Sequence, residues 1–438
     1  MQKNPTSVLR NPTVDPVYLA ADVVASLIHP LPAGTAYFIG VVLLTMMTGR
    51  LVQCKGSLAR AALPFVCHLK WGWHRVERAM ERGKFSWDEL FDRAATWCVA
   101  HLPVEPVQLG EQKREVVAVD SSTIARWRAT ARTAVLGNGY CHRVGRAVRA
   151  NLVAAATRVV WIAGVRVGLV QRVRFGSSCE EAVAAVFADR PPSAAPRLLV
   201  VDAGIATQQQ FAAATARDAL TGRLRINGKR RGAPLPSPPG KRGRPPKPGA
   251  VLHPGAAQPE VAPDEDFTRP GEKGEIRVRR WNTLHFEEDH TTILDVVRID
   301  DPAYPRPLLI GSTATELTTA ESEQGYGHRW PVETNFFVAQ DTAAMEMPRA
   351  WTKQALERRI GFALLVGAVL KALAAVCAPL AIGPWDRQPE RSAGRLANYL
   401  DLHARNFAAL SLRGVAPRNY RKIPKSSDFR DLQDKEAA

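Results

Sequence analysis

Cysteine is scarce in this sequence, and its spacing pairs nothing. Cys54, Cys67, Cys98, Cys141, Cys179 and Cys377 are scattered over 438 residues with no C-x-x-C among them. That argues against a structural zinc site and against a disulfide scaffold, and it fits a reducing compartment. Hydrophobic runs of membrane length are missing too. The apolar stretch 36–47 is too short to cross a bilayer. The stretch 361–379 approaches that length but carries Lys371, and it reads as a core helix packed on a sheet. No signal peptide is expected, because residues 1–15 are polar and proline-containing. Acidic residues also run short, with 42 Asp and Glu against 59 Lys and Arg, a net charge of +17 and a pI near 10.0. Such an excess attracts polyanions, and duplex DNA is the densest polyanion in a cell.

What is present is ordinary globular composition, 46% hydrophobic, in a chain long enough for two or three domains. Residues 1–30 read as a leader with prolines at 5, 12, 16 and 30. Helices are expected over 36–48, from Ser57 to near Pro64, over 70–82, and from a Ser86-Trp-Asp-Glu89 capping box to about 99. Lys70, His74, Arg75, Arg78 and Arg82 fall in one of these segments. They suit either a helix laid on DNA or a solvated basic face.

From 112 to 218 the pattern is α/β. Strands are expected over 115–120, 157–162, 165–173 and 197–202, with a hairpin turn at Ala163-Gly164 and helices over 178–187 and 208–220. Between 223 and 249 nine residues are Lys or Arg, seven are Pro and none is acidic, so this segment cannot build a core. Its Arg242-Gly-Arg244-Pro, preceded by Lys241, looks like an AT-hook, a narrow extended chain that lays arginines along an A·T-rich minor groove. A flexible basic linker is the plainer reading. Segments 275–281, 291–298 and 307–310 alternate as antiparallel strands with one wet face. Residues 385–438 are proline-broken, then polar, and read as a mobile tail.

Three places carry candidate chemistry. Val116-Val-Ala-Val-Asp120 and Leu198-Leu-Val-Val-Asp202 are apolar runs ending in an aspartate at a sheet rim, where ligands of α/β folds collect. Each aspartate alone is more often a turn or cap residue. The third place is Tyr326-Gly-His-Arg329-Trp-Pro-Val-Glu333, continuing to Gln340. Pro331 suits a first helical turn, and Glu333 and Gln340, seven apart, share a face. In isolation the stretch reads as an amphipathic helix with a polar edge.

Together these residues resemble bacterial cut-and-paste insertion-sequence transposases, DDE enzymes with a Tyr-x2-Arg-x3-Glu-x6-Lys signature. Tyr326, Arg329 and Glu333 match it; Gln340 stands where the family has Lys, and Ala203 stands where an Arg often follows the second aspartate. The resemblance covers roughly residues 40 to 375. It implies an α/β fold, a ribonuclease H-like catalytic core over 105–222 and 315–380, interrupted by a basic linker and β-rich insertion over 223–314. A helical, DNA-binding domain would occupy 1–104 and a helical or mobile tail 381–438. It implies Asp120, Asp202 and Glu333 as catalytic ligands of two Mg²⁺ or Mn²⁺ ions. Tyr326, Arg329 and Gln340 would contact DNA, Lys241, Arg242 and Arg244 would do so through the AT-hook-like segment, and Trp281 would either stack on a base or anchor the insertion's sheet. The expected activity is cleavage of element ends and joining of the 3′-hydroxyl to target DNA. Double-stranded DNA would be the partner, a homodimer the synaptic form, no membrane would be engaged, and the location would be the bacterial cytoplasm at the nucleoid. The alternatives are a transposase-derived DNA-binding protein that no longer cuts, and a related nuclease that cuts without joining.

Overall fold

Valine-rich runs that cannot face water on either side require a sheet covered on both faces, and such a sheet organises the chain. The computed structural model describes residues 15–67, 69, 72–126, 137–141, 145–232, 249–350 and 352–415. The fold is mixed α/β. Its longer strands are β1 (Arg114–Ala125), β2 (Arg146–Ile162), β3 (Val165–Gly176), β4 (Arg197–Val201), β5 (Asp218–Arg223), β6 (Glu265–Gly271), β7 (Gly274–Phe286), β8 (Leu294–Asp300) and β9 (Leu308–Ser312). They line up in the order β3–β2–β1–β4–β5–β9–β8–β7–β6 within one continuous sheet. β2 runs antiparallel to both of its neighbours, β1 and β3, whereas β4 runs parallel to β1 and β5 parallel to β4. The 163–164 hairpin joins β2 to β3 as expected, with positive φ at both residues.

The longer helices are α1 (Pro16–Ile28), α2 (Ala33–Met47), α3 (Leu58–Val66), α4 (Gly72–Arg82), α5 (Trp87–His101), α6 (Cys179–Ala188), α7 (Thr319–Gly327), α8 (Trp330–Asp341), α9 (Lys353–Val376), α10 (Ala393–Leu402) and α11 (Ala404–Ser411). Period-2 alternation divides them between the faces. Val116 and Ala118 of β1 and Leu198 and Val200 of β4 share one hydrophobic cluster with α1, α2, α5, α8 and α9. Val117, Val119, Leu199 and Val201 face the other cluster, with Val183 and Val186 of α6 and Trp281 of β7. α9 is apolar enough to cross a membrane by composition, but 89% of that stretch is buried inside the fold. It is a core helix on the sheet, as its sequence suggests.

Four sequence expectations need correction. The leader reading fails from residue 16, because Pro16 opens α1 and Asp15 caps it by accepting from the Val17 N–H at 2.8 Å. The end of the chain is likewise helical through 411, and α10 and α11 bury Leu396, Leu400 and Phe407. The helix expected over 208–220 stops at Ala212, and the chain returns as β5. There, pairing with β4 and burial on both faces outweigh the helix propensity of an alanine-rich run. Finally, the β-rich segment is not a separate piece of sheet, since β9 pairs with β5 and carries β8, β7 and β6 outward from the same sheet.

Trp281 sits in that extension, and it is 1% exposed. Its indole N–H donates to the Val261 carbonyl at 3.0 Å. A buried ring with its polar end already bonded has no free face for a base, so its role is the sheet anchor. Trp281→Ala should cost about 3–5 kcal/mol in a urea titration, and Trp281→Phe clearly less. A Trp281→Ala protein of undiminished stability that fails to bind DNA would return the ring to the stacking role.

Candidate active site

Register places the first two acids. β1 and β4 pair in parallel with Val119 opposite Val201. The residue that follows is Asp120 within β1 and Asp202 immediately beyond β4, so the two lie side by side where the parallel pairing ends, on chains about 4.8 Å apart. Alternation turns both toward the face covered by α7, α8 and α9, since Ala118 and Val200, two residues earlier, belong to that cluster. β1 itself runs on to Ala125, paired with β2.

Helix α8 brings the third acid to the same face. Val332, Phe336 and Ala339 are buried in the shared cluster, which leaves Glu333 and Gln340 half-buried along one edge. Two glycines let neighbouring backbones close on this helix. A Cβ on Gly168 of β3 would stand 2.9 Å from Asn335 Nδ2, and one on Gly367 of α9 would stand 3.1 Å from the Ala339 nitrogen. Asn335 is fully buried and donates to the Gly168 carbonyl at 2.8 Å. Lys371, from α9, reaches the Pro331 carbonyl, Thr334 Oγ1 and Asn335 Oδ1. Burial brings its amine down to about 8. The lysine that interrupts an otherwise apolar run thus fastens the first turn of α8.

Tyr326 and Arg329 stand where one helix hands over to the next. Tyr326 ends α7, a helix opened by a reciprocal capping box between Thr318 and Glu321. The Thr318-x-x-Glu321 spacing is the sequence signal of this helix start. Arg329 is the residue at which α7 gives way to α8. The Tyr326 hydroxyl donates to Asp202 at 3.2 Å. The Arg329 guanidinium pairs with Glu333 and stands 4.0 Å from Asp120. It also lies against the rings of Tyr326 and Trp330. The four elements β1, β4, α7 and α8 therefore bring Asp120, Asp202, Tyr326, Arg329 and Glu333 into one neighbourhood.

Electrostatics records how close this is. Burial pushes the Asp120 carboxyl up to about 6, and Glu333 and Asp202 add to the rise. The Ser121 N–H, 2.8 Å away, and Arg329 oppose it. Asp120 thus lacks enough positive charge around it to ionise normally. Among the described residues, no three His, Cys, Asp or Glu side chains are gathered tightly enough to form a ready-made metal cluster. The guanidinium of Arg329 holds the position of a cation between two of them. The donor set, all carboxylate oxygen with a raised pKa at its centre, fits a hard divalent ion.

Other expected DNA contacts stand apart from this site or lie outside what is described. Lys241, Arg242 and Arg244 lie outside the described residues, as does Lys70. His74, Arg75, Arg78 and Arg82 are exposed on α4. The acids of that helix, Glu77 and Glu81, act instead on the buried Arg359 of α9. Arg358, beside it, donates to the carbonyls of Met80 and Gly83 at 2.8 and 2.7 Å and so locks α4 to the core. At the start of α5, Ser86 accepts from the Glu89 N–H, but Glu89 pairs with Arg93 at 3.0 Å, so only half of the expected box forms. His328 was overlooked in the sequence. It is 1% exposed with no partner on either ring nitrogen, and burial followed by Arg166 brings it down to about 4.

Compared with protein-family models and with curated proteins, the chain matches none.

A raised carboxyl pKa means that the folded protein prefers Asp120 protonated. That contribution to stability is present below about pH 4 and is lost as pH rises to about 6. Asp120→Asn keeps the neutral form at every pH. In metal-free buffer the variant should therefore be more stable than wild type above pH 6 by up to about 3 kcal/mol, with the gap closing toward pH 4. Thermal melts across that range check this, and a variant less stable at pH 7 would show that Asp120 is not held against its charge.

Proposed function

We propose that the chain is a DNA transposase of the cut-and-paste insertion-sequence kind. Its catalytic core would be ribonuclease H-like, and it would act on duplex DNA in the bacterial cytoplasm, at the nucleoid. The observation that carries the reading is the meeting of Asp120 and Asp202 at one parallel strand register with Glu333 from a helix on the same face. The strand order β3–β2–β1–β4–β5, antiparallel for the first three and parallel for the last two, is that expected of such a core and supports it.

Asp120, Asp202 and Glu333 would hold Mg²⁺ or Mn²⁺, two ions in the form the resemblance implies, which supply activation of the attacking oxygen and charge relief on the phosphate. The rest falls to the chain's own groups. Arg329, aromatic on two sides and fixed at the head of α8, is placed to grip a phosphate oxygen beside the acids. The Tyr326 hydroxyl holds Asp202 in orientation and can turn to donate its hydrogen bond to a phosphate oxygen instead. Gln340, two turns beyond Glu333, offers the backbone a neutral hydrogen bond where a lysine would bring charge. The exposed arginines of α4 supply long-range attraction to the duplex. Two element ends would be paired by a homodimer. One observation favours the non-cutting alternative: the acids are not pre-gathered around an ion position.

Asp120→Ala and Glu333→Gln should each abolish Mg²⁺-dependent nicking of a duplex carrying the flanking sequence of the gene, while DNA affinity stays within about threefold of wild type, since phosphate contacts dominate binding. Nicking by both variants at the wild-type rate removes the assignment. Wild-type binding with no nicking in either metal selects the non-cutting alternative.

A further inference from the structure

The rim that carries the two aspartates holds a third charged position. Val201 of β4 lies opposite Val119 on one side and opposite Gly222 of β5 on the other. The residues that follow on the three parallel strands are Asp120, Asp202 and Arg223. Alternation along β5 sets Arg223 on the same face as Ala219, which belongs to the cluster beneath α7, α8 and α9. Arg223 is therefore a rim neighbour of Asp202 on the face where Tyr326 and Arg329 stand. Its positive charge reaches the Tyr326 hydroxyl, the group that bonds Asp202. Arg223 is exposed, and among the described residues no carboxylate forms an ion pair with it. Arg329, which also stands at this rim, is already paired with Glu333.

We infer that Arg223 binds a DNA phosphate next to Asp202, supplying a cation from the adjoining strand beside an aspartate that is itself followed by the uncharged Ala203-Gly204. This rests on the proposal that the acids act on DNA. The physical need is plain. A strand led across the acids must bring its phosphates close to three carboxylates, and Arg329 alone is already divided between two of them. A second guanidinium on the far side of Asp202 gives the phosphodiester a cation on both flanks. An arginine suits this because it is permanently charged and offers two parallel N–H donors to two phosphate oxygens.

The test uses the full chain and a generic double-stranded oligonucleotide, with binding followed by fluorescence anisotropy over a series of salt concentrations. Arg223→Ala should lower the magnitude of the slope of log affinity against log salt by about 0.9, the share of one phosphate contact. Arg223→Lys should restore most of the slope, and the melting temperatures of all three proteins should agree. Should the alanine variant fold poorly, Arg223→Gln keeps the size of the side chain and removes the charge, with the same slope change expected. A wild-type slope in the alanine or glutamine variant overturns the contact. Because the readout is binding, the expected slope change in the variant alongside a wild-type protein that never nicks DNA would sink the transposase reading and leave the Arg223 assignment standing.

Discussion

Carboxylates forced together repel, and the site described here is set by how that repulsion is met. Parallel pairing of β1 with β4 leaves no freedom in the matter, because Val119 opposite Val201 makes Asp120 a neighbour of Asp202 whatever their charge. Glu333 arrives on a helix whose other face is committed to the core. Three devices answer the repulsion: Arg329 between Glu333 and Asp120, the Tyr326 hydroxyl on Asp202, and a proton that Asp120 retains up to about pH 6. None of them is a strong substitute for a divalent cation, which concentrates two charges on one atom. Under the proposed function, the same arrangement would favour ions and a phosphate together.

The rigidity of α8 follows from the same logic. A helix end carrying an acid into a like-charged neighbourhood would drift outward unless held from behind. Close backbone approaches at Gly168 and Gly367, the buried Asn335 amide, and the Lys371 amine on the first turn hold it. The α4 helix is tied to the same long helix α9 through Arg358, so its outward arginines and the acids are parts of one body. Under the proposed function, a duplex that touched α4 would meet the acids at a fixed offset.

Much of the site was legible in the sequence, and the reasons are physical. Apolar runs that end in aspartate mark strand ends at a rim, and the three- and four-residue spacing of Tyr326, Arg329 and Glu333 keeps them together even across the break between α7 and α8. What could not be read was pairing. Nothing local in Ala219-Leu-Thr-Gly-Arg223 distinguishes a central strand from the tail of a helix, since only its partners β4 and β9 decide. Arg223 was invisible for that reason. The prolines at 5, 12 and 16 obscured α1, although Asp15-Pro16 is a helix start, and Trp281 looked equally fit for surface or core until its burial was known.

The central claim is that residues 120, 202 and 333 form one ion-binding centre. Replacing Mg²⁺ by Fe²⁺ and adding ascorbate and peroxide makes any bound iron cleave the polypeptide beside it. The account predicts cuts near all three positions at once, suppressed together by excess Mg²⁺ and absent from Asp120→Ala. Cuts clustered at one of the three alone, or unmoved by Mg²⁺, would contradict it.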